Sequence, residues 1–254
     1  MKKLSFALIF LTILLVSSAV ADTITIRADI WCPYNCEPGS DNPGYMIEIA
    51  QKTLGKQNHT IDYQSMPWAR ALKQTREGIF VAVVGAYIED APDFLFADYL
   101  GTSTMIFYGR KDSTWKFDGV DSLKTVNLGV VRNYAYTPEL DKYIAENSKQ
   151  KAVQLASGED ALEVNIKKLI RSRIDVFVAN EMVFGYHIKQ AGRSVDDFKH
   201  CGVLSTDKVH MAFSPKNPNS KAYVETVNNG LKMLRTSGEL KKILDKYNVQ
   251  DWIK

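Results

Sequence analysis

Aromatic rings stand beside carboxylates and amides at intervals along this sequence, a pattern suited to non-covalent recognition. Asp29, Trp31 and Tyr34 follow one apolar run, Trp68 and Arg70 a second, and Tyr87 a third. Further along, Arg132, Asn133 and Tyr134 end one apolar run, and Asn180 and Glu181 end another. Rings of this kind offer a flat apolar face and a π cloud that attracts cations, while amides and acids add directional hydrogen bonds. Arg70 and Arg132 are the candidates for clamping a carboxylate, because a planar guanidinium can do so bidentately. Each residue also has a plain structural reading. Trp68 and Arg70 could pack and cap a helix start, Trp31 and Tyr34 could fill a loop, and Arg132 could be solvated. The apolar residues 81–84 empty into a loop with Glu89, Asp90 and Asp93, and no Arg or Lys occurs between positions 77 and 109. Such a loop is a wet acidic rim, or it repels anions and attracts a cation.

Catalytic patterns are sparse by comparison. The four histidines, at 59, 187, 200 and 210, form no spacing typical of a base beside its nucleophile, and no Gly-x-Ser-x-Gly elbow occurs. Glu89 and Glu181 are acid or base candidates in principle only. His200 and Cys201 are adjacent, but no Cys-x-x-Cys pair or His-Glu-x-x-His helix completes a metal ligand set, so no cofactor is expected. The plainer reading of Cys201 is a buried apolar thiol.

The amino terminus sets the compartment. Lys2 and Lys3 precede an apolar stretch over residues 4–16 and then Ala19-Val20-Ala21, which together read as a cleavable export signal over residues 1–21. Its loss takes the formal charge from +3 to +1, which gives no reason to expect a nucleic-acid partner. Cys32 and Cys36 flank Pro-Tyr-Asn closely enough to close a small loop, and in an oxidising compartment they are expected to form a disulfide. The remaining chain exceeds the usual ~100–150 residues of one domain.

The elements that must position these residues alternate. Residues 23–28 alternate apolar and polar as a strand, a helix follows to a stop at Gly55, and residues 60–66 form a second strand. Pro67 can occupy the first turn of a helix running to Gly78, and residues 79–87 read as a central parallel strand. Residues 103–111 are strand-like, and the alternation then restarts. Strands over 125–133, 151–156 and 174–180 are separated by a helix opening at Thr137-Pro138-Glu139 and by one with a capping-box-like start at Ser157 and Asp160. A further helix over 181–190, a strand and turn over 209–220, and two closing helices complete the chain. Two such strand-helix-strand units predict an α/β fold of two lobes, each a mostly parallel sheet flanked by helices, joined by crossings near 107–111 and 204–210. Ligands in open α/β sheets sit beyond the carboxyl ends of strands, which points to a cleft between the lobes.

The stretches IWCPYN, PGYMIEIAQKTLG, MPWARALKQTREG, DFLFADY, LGVVRNYAY, RIDVFVANEMVFGYHI and SGELKKILDKYNV occur in the order seen in periplasmic solute-binding proteins of the polar amino acid type, and over essentially the whole mature chain the sequence resembles that family. The resemblance implies a type II periplasmic-binding-protein fold with lobe 1 from 22–108 plus 208–254 and lobe 2 from 109–207. It further implies a monomeric, hinge-closing receptor that delivers a small solute to an inner-membrane ABC permease. In amino-acid-binding members the loop after the third strand looks like Ser-x-Thr and then an Arg that grips the α-carboxylate. Here Tyr87 and Glu89 stand in place of the hydroxyls and Pro92 near the expected Arg. The strand that ends in Asp in such binders ends here in Asn180. Both charged anchors for an α-amino acid are therefore expected to be missing, which leaves a small polar or aromatic solute. Altered anchors also suit a periplasmic sensor that docks to a membrane receptor, and a few relatives resemble dehydratases.

Overall fold

The computed structural model describes residues 22–57, 59–132, 134–158 and 160–253. The expected leader and Asn133 lie outside the described residues. Strand β1 (Thr23–Ala28) buries Ile24, Ile26 and Ala28 completely, as its alternation predicts. Arg27 points to the other face and is also buried. Its guanidinium meets the Asp62 carboxylate at 2.7 Å, donates to the carbonyls of Ile26 and Asp62, and lies over the Phe80 ring. A buried charge is tolerable only when paired and hydrogen-bonded in this way. Helix α1 (Tyr45–Thr53), β2 (Thr60–Ser65), α2 (Trp68–Arg76) and β3 (Ala82–Ala86) complete the first units, with β2 and β3 both parallel to β1.

After the two-residue β4 (Leu95–Phe96) and the longer β5 (Gly101–Arg110), the pattern repeats as β6 (Leu128–Val131), α3 (Pro138–Asn147), β7 (Val153–Ala156), α4 (Ala161–Ile170), β8 (Val176–Asn180) and α5 (Glu181–Gln190). The chain closes with β9 (Phe198–Phe213), α6 (Ser220–Thr236) and α7 (Glu239–Lys246). The strand order is β2-β1-β3-β9-β5-β8-β6-β7, with β4 paired to β9. Strand β9 returns antiparallel to both neighbours. It faces β3 where Phe213 lies opposite Ala82, and faces β5 from Val209 opposite Gly101 to Phe198 opposite Arg110. The expected parallel β3 is therefore parallel on one side and antiparallel on the other, because the strand that closes its sheet comes from the far end of the chain. The expected strand at 209 is likewise only the end of β9. Residues 198–208 carry little apolar periodicity and are held as strand by the ladder to β5, whose register shifts between Met105 and Ile106 and again between Phe107 and Tyr108.

One core joins β1, α1, β3, the end of β9, α6 and α7. Two more lie on opposite faces of the second group of strands, with Phe107, Val176 and Val178 on one face and Ile106, Phe177 and Ala179 on the other. Burial on both faces explains why residues 174–179 read as an almost unbroken apolar run. Helix α3 starts as expected, with Pro138 in its first turn and the Thr137 hydroxyl accepting from the Leu140 N–H. Helix α4 does not. Asp160 stands at its N-cap without a side-chain bond, and the Ser157 hydroxyl instead accepts from Arg132 Nε at 2.9 Å.

Candidate functional site

The carboxyl ends of β1, β3, β6 and β8 converge where β5 and β9 pass from one group of strands to the other, and a polar network forms the floor there. Tyr34, in the loop after β1, donates through its hydroxyl to the Thr102 carbonyl at 2.7 Å. Asn180, the last residue of β8, donates from Nδ2 to Ser103 Oγ at 2.8 Å and to the Tyr34 hydroxyl at 3.2 Å. Tyr87, just past β3, donates to the same Ser103 Oγ at 2.9 Å. Asn180 also caps α5, its Oδ1 accepting from the Val183 N–H at 3.0 Å. The network thus ties three strand ends and one helix start to β5. Tyr34, Ser103 and Asn180 are buried, so each hydroxyl and amide needs its partners. Burial raises the phenol of Tyr34 above its ordinary range, and that of Tyr87 is pushed up to about 12 chiefly by the same cause. Both rings are neutral hydrogen-bonding groups.

An aromatic wall stands on this floor. Trp31 stacks on Tyr34 with ring centroids 4.1 Å apart and meets the edge of Tyr87 at 6.4 Å. Its backbone is held in a tight turn, with N–H to Asn35 O at 2.7 Å and the Cys32–Cys36 disulfide closing the same loop, as expected. Two glycines let the loop sit so close. A Cβ on Gly44, whose φ is 103°, would collide with the backbone of Tyr34 and Asn35. A Cβ on Gly85 would press on Asn35 Oδ1 at 3.3 Å and on the Trp31 ring at 3.4 Å.

Around this wall lie the remaining expected residues. Asp29 is solvent-accessible, yet the protein around it withdraws enough water to raise its carboxyl above the usual range. Tyr134, past the end of β6, is 60 % exposed, and its phenol is raised first by partial burial and then by the negative charge of Asp29. Trp68, half-buried at the start of α2, lies beside Asp90, whose carboxyl is raised by desolvation against the lowering effect of the Tyr87 backbone and the Trp68 side chain. Glu181 opens α5 and is exposed. Arg70 and Arg132 are exposed too. Arg132 is tethered to Ser157, and the Arg70 guanidinium makes no hydrogen bond or ion pair among the described residues.

The acidic loop divides. Asp93 is bound bidentately by Arg76 on α2, at 2.9–3.1 Å, and this partner holds its carboxyl below the usual range. The loop carries no cation of its own, but the helix before it supplies one and spends it on Asp93. Among the described residues no ion pair includes Asp29, Glu89, Asp90 or Glu181.

The sequence missed Ser103 and Thr102, since a serine and a threonine at the start of an apolar strand carry no signal of their own. The histidines are dispersed. His59 accepts from the Asp22 N–H, His187 meets Glu163 at 2.9 Å, and His210 bonds the Ala97 carbonyl. Cys201 is buried against Gly109 of β5, and desolvation raises its thiol. Among the described residues no group of three His, Cys, Asp or Glu side chains is placed to hold a metal ion, and no helix is long and apolar enough to cross a membrane.

Two sheets of strand-helix-strand units, joined by a paired ribbon, define a two-lobed α/β protein. Solved structures agree on the fold. The second substrate-binding domain of GlnP from Lactococcus lactis, in an open conformation, is 20 % identical, with 90 % of this chain and 95 % of that one covered and a TM-score of 0.63. A histidine kinase sensor domain with similarity to periplasmic binding proteins is 17 % identical, with coverage of 89 % and 95 % and a TM-score of 0.64. The ancestral amino-acid-binding protein AncCDT-1, described as a precursor of cyclohexadienyl dehydratase, is 16 % identical, with coverage of 89 % and 95 % and a TM-score of 0.61. No curated protein matches significantly. The model of the bacterial extracellular solute-binding proteins, family 3, matches residues 24–250, and the chain belongs to that family.

Proposed function

We propose that this chain is a periplasmic receptor, exported by removal of residues 1–21, that captures a small polar or aromatic solute by closing lobe 1 (22–108 with 208–254) on lobe 2 (109–207). The captured solute is handed to an inner-membrane ABC permease, and the solute is not a standard α-amino acid. One observation carries this reading. The Asn180 side chain is an amide committed to Ser103, Tyr34 and the start of α5, so this position holds no carboxylate for a substrate ammonium. The cation nearest the acidic loop in sequence, Arg76, is committed to Asp93, which leaves Arg70 and Arg132 as the guanidinium groups able to meet an anionic solute. On this reading the solute meets Trp31, backed by the buried Tyr34, with Tyr87, Tyr134 and Trp68, while Asp29, Asp90 and Glu181 supply hydrogen bonds and Arg70 and Arg132 stand at the edge. Asn133 belongs with this set by its place in the sequence. A flat solute stacked on Trp31 and hydrogen-bonded at its rim suits such a wall.

The test is a thermal-shift panel of free α-amino acids on the mature protein. A true ligand at a hundred times its Kd stabilises by about 2.7 kcal/mol, or about 5–10 °C for a chain of this size. Every amino acid is expected to fall well short of that, and a shift of several degrees with any one of them would overturn the reading.

A second reading has the same capture serving a sensor that docks to a membrane receptor, supported by the likeness to a histidine kinase sensor domain. Permease and ATPase genes beside this one favour transport, and a kinase or cyclase gene favours sensing. Catalysis is the weakest reading. Asp29 has the raised carboxyl a general acid requires, but among the described residues no hydrogen bond or ion pair joins its side chain to a base or nucleophile. Turnover of any candidate substrate by the purified protein would establish it.

A further inference from the structure

A pocket of about 410 Å³ opens at the end of the second lobe remote from the strand-end site. It lies where the far end of the β5–β9 ribbon, Arg110 opposite Phe198, meets the C-terminal ends of α4 and α5. Arg110 is nine residues beyond Gly101, about 30 Å of extended strand. Strand β8 also runs away from it, Val176 lying opposite Gly109 near the pocket and Asn180 opposite Met105 near the cleft.

The base of the pocket is apolar, with Leu169, Phe198 and Ile170, the last of these 55 % exposed. Its rim is cationic, with Arg110, Lys111 and Arg193. Arg110 is partly satisfied from behind by the Ile174 carbonyl at 3.0 Å and Asp175 at 3.4 Å, and Arg193 lies 3.7 Å from Glu163. Lys111 has no hydrogen bond or ion pair among the described residues. The one acid in the lining, Asp197, accepts from the Ser194 N–H at 3.3 Å and keeps its negative charge, against which the lining sets three cations.

Helix C-termini ordinarily repel anions, because their last carbonyls are bare. Here both helix ends are capped. The N–H groups of Arg171, Ser172 and Arg173 satisfy the carbonyls of Lys167, Leu169 and Lys168, with Ser172 in the left-handed conformation at φ 54°. Those of Ala191, Gly192 and Arg193 do the same for α5. Six of the carbonyls in the last turns of α4 and α5 are thus taken up, which lessens their repulsion of an anion beside the apolar side chains and cations of the lining.

We propose that this pocket binds a small amphipathic anion, a carboxylate, sulfonate or phosphate on a short alkyl or aryl body. The body covers Ile170 and Phe198, and the anionic head meets Lys111 with Arg110 and Arg193. The site is separate from the cleft and holds whether the cleft ligand is transported or sensed.

A matched pair of fluorescent probes tests it on the full mature protein: 8-anilinonaphthalene-1-sulfonate and the neutral N-phenyl-1-naphthylamine, which lacks the sulfonate. The sulfonate is expected to bind with a saturable rise in fluorescence that weakens with added salt. Lys111→Glu and Ile170→Glu should each weaken it about tenfold. Lys221→Glu, the same charge change on the exposed side of α6, should leave it unaltered. The neutral probe should respond to Ile170→Glu but not to Lys111→Glu. Circular dichroism and Tm establish that the variants are folded. Equal sulfonate affinity in wild type, Lys111→Glu and Ile170→Glu would overturn the proposal, as would equal loss in Lys221→Glu.

Discussion

Replacing Asn180 by Asp alters one atom in shape but reverses the hydrogen-bonding sense of the floor. The Asn180 amide nitrogen donates at 2.8 Å to Ser103 and at 3.2 Å to Tyr34, and the residue is only 6 % exposed. A carboxylate oxygen there can only accept. Ser103 could turn its single hydroxyl proton toward it, and Tyr34 its own only by releasing the Thr102 carbonyl, and no Arg or Lys takes part in the network to balance the charge. A carboxyl so placed should have its pKa raised by about two units over its unfolded value, which costs about 2.7 kcal/mol at neutral pH. For a chain of this size that is a Tm loss of about 5–10 °C. The sign of the pH dependence follows from the direction of the shift. A raised folded-state pKa penalises folding fully above that pKa, and the penalty fades as the unfolded value near 3.9 is approached from above. Urea melts of wild type and Asn180→Asp should therefore differ by about 2.7 kcal/mol at pH 7.5 and by about 1 kcal/mol at pH 4.5. Asn180→Ala, which removes the donors without adding charge, should show a gap that does not change between the two pH values. If Asn180→Asp is as stable as wild type at pH 7.5, or if its deficit is the same at pH 4.5, the floor is not the closed neutral network described.

Two further substitutions probe neighbouring features. The Tyr45 hydroxyl is fully buried with no partner among the described residues and sits against Gly101, where a Cβ would collide with it. Tyr45→Phe should hold or raise stability by up to about 1 kcal/mol, because it removes an unsatisfied polar group. Gly101→Ala should destabilise measurably, and Tyr45→Phe should restore part of that loss; a double variant no better than Gly101→Ala alone would contradict the packing. The Arg76–Asp93 pair is bidentate but more than 40 % exposed on both sides, so Arg76→Ala should cost less than about 1 kcal/mol, an effect that shrinks in 0.5 M salt. A loss of several kcal/mol in denaturant melts would show that the acidic loop depends on that pair far more than its exposure allows.

The strand-helix alternation could be read from the sequence because its signals are local. Buried Ile24 and Ile26 alternate in β1, Thr137 and Pro138 open α3, and the apolar β8 hands over to α5 at Asn180. What could not be read depends on partners far away in the chain. Residues 198–208 look like polar loop until β5 is laid beside them, and the antiparallel side of β3 exists only because β9 returns 130 or so positions later. The same holds at the site. Asn180 was legible as a departure from an acid, but its occupation by Ser103 was not, because Ser103 is unremarkable except as the β5 residue that faces it. Ser157 illustrates the converse. Its spacing to Asp160 matches a capping box, yet a long-range donor, Arg132, takes its hydroxyl.

The central claim concerns what the cleft refuses, and the solute the protein carries answers it most directly. Native mass spectrometry of the mature protein, purified gently from its own export compartment, should show a bound adduct whose released mass belongs to a molecule without an α-amino-acid head group. Stoichiometric release of glutamine, arginine or another free α-amino acid would contradict it.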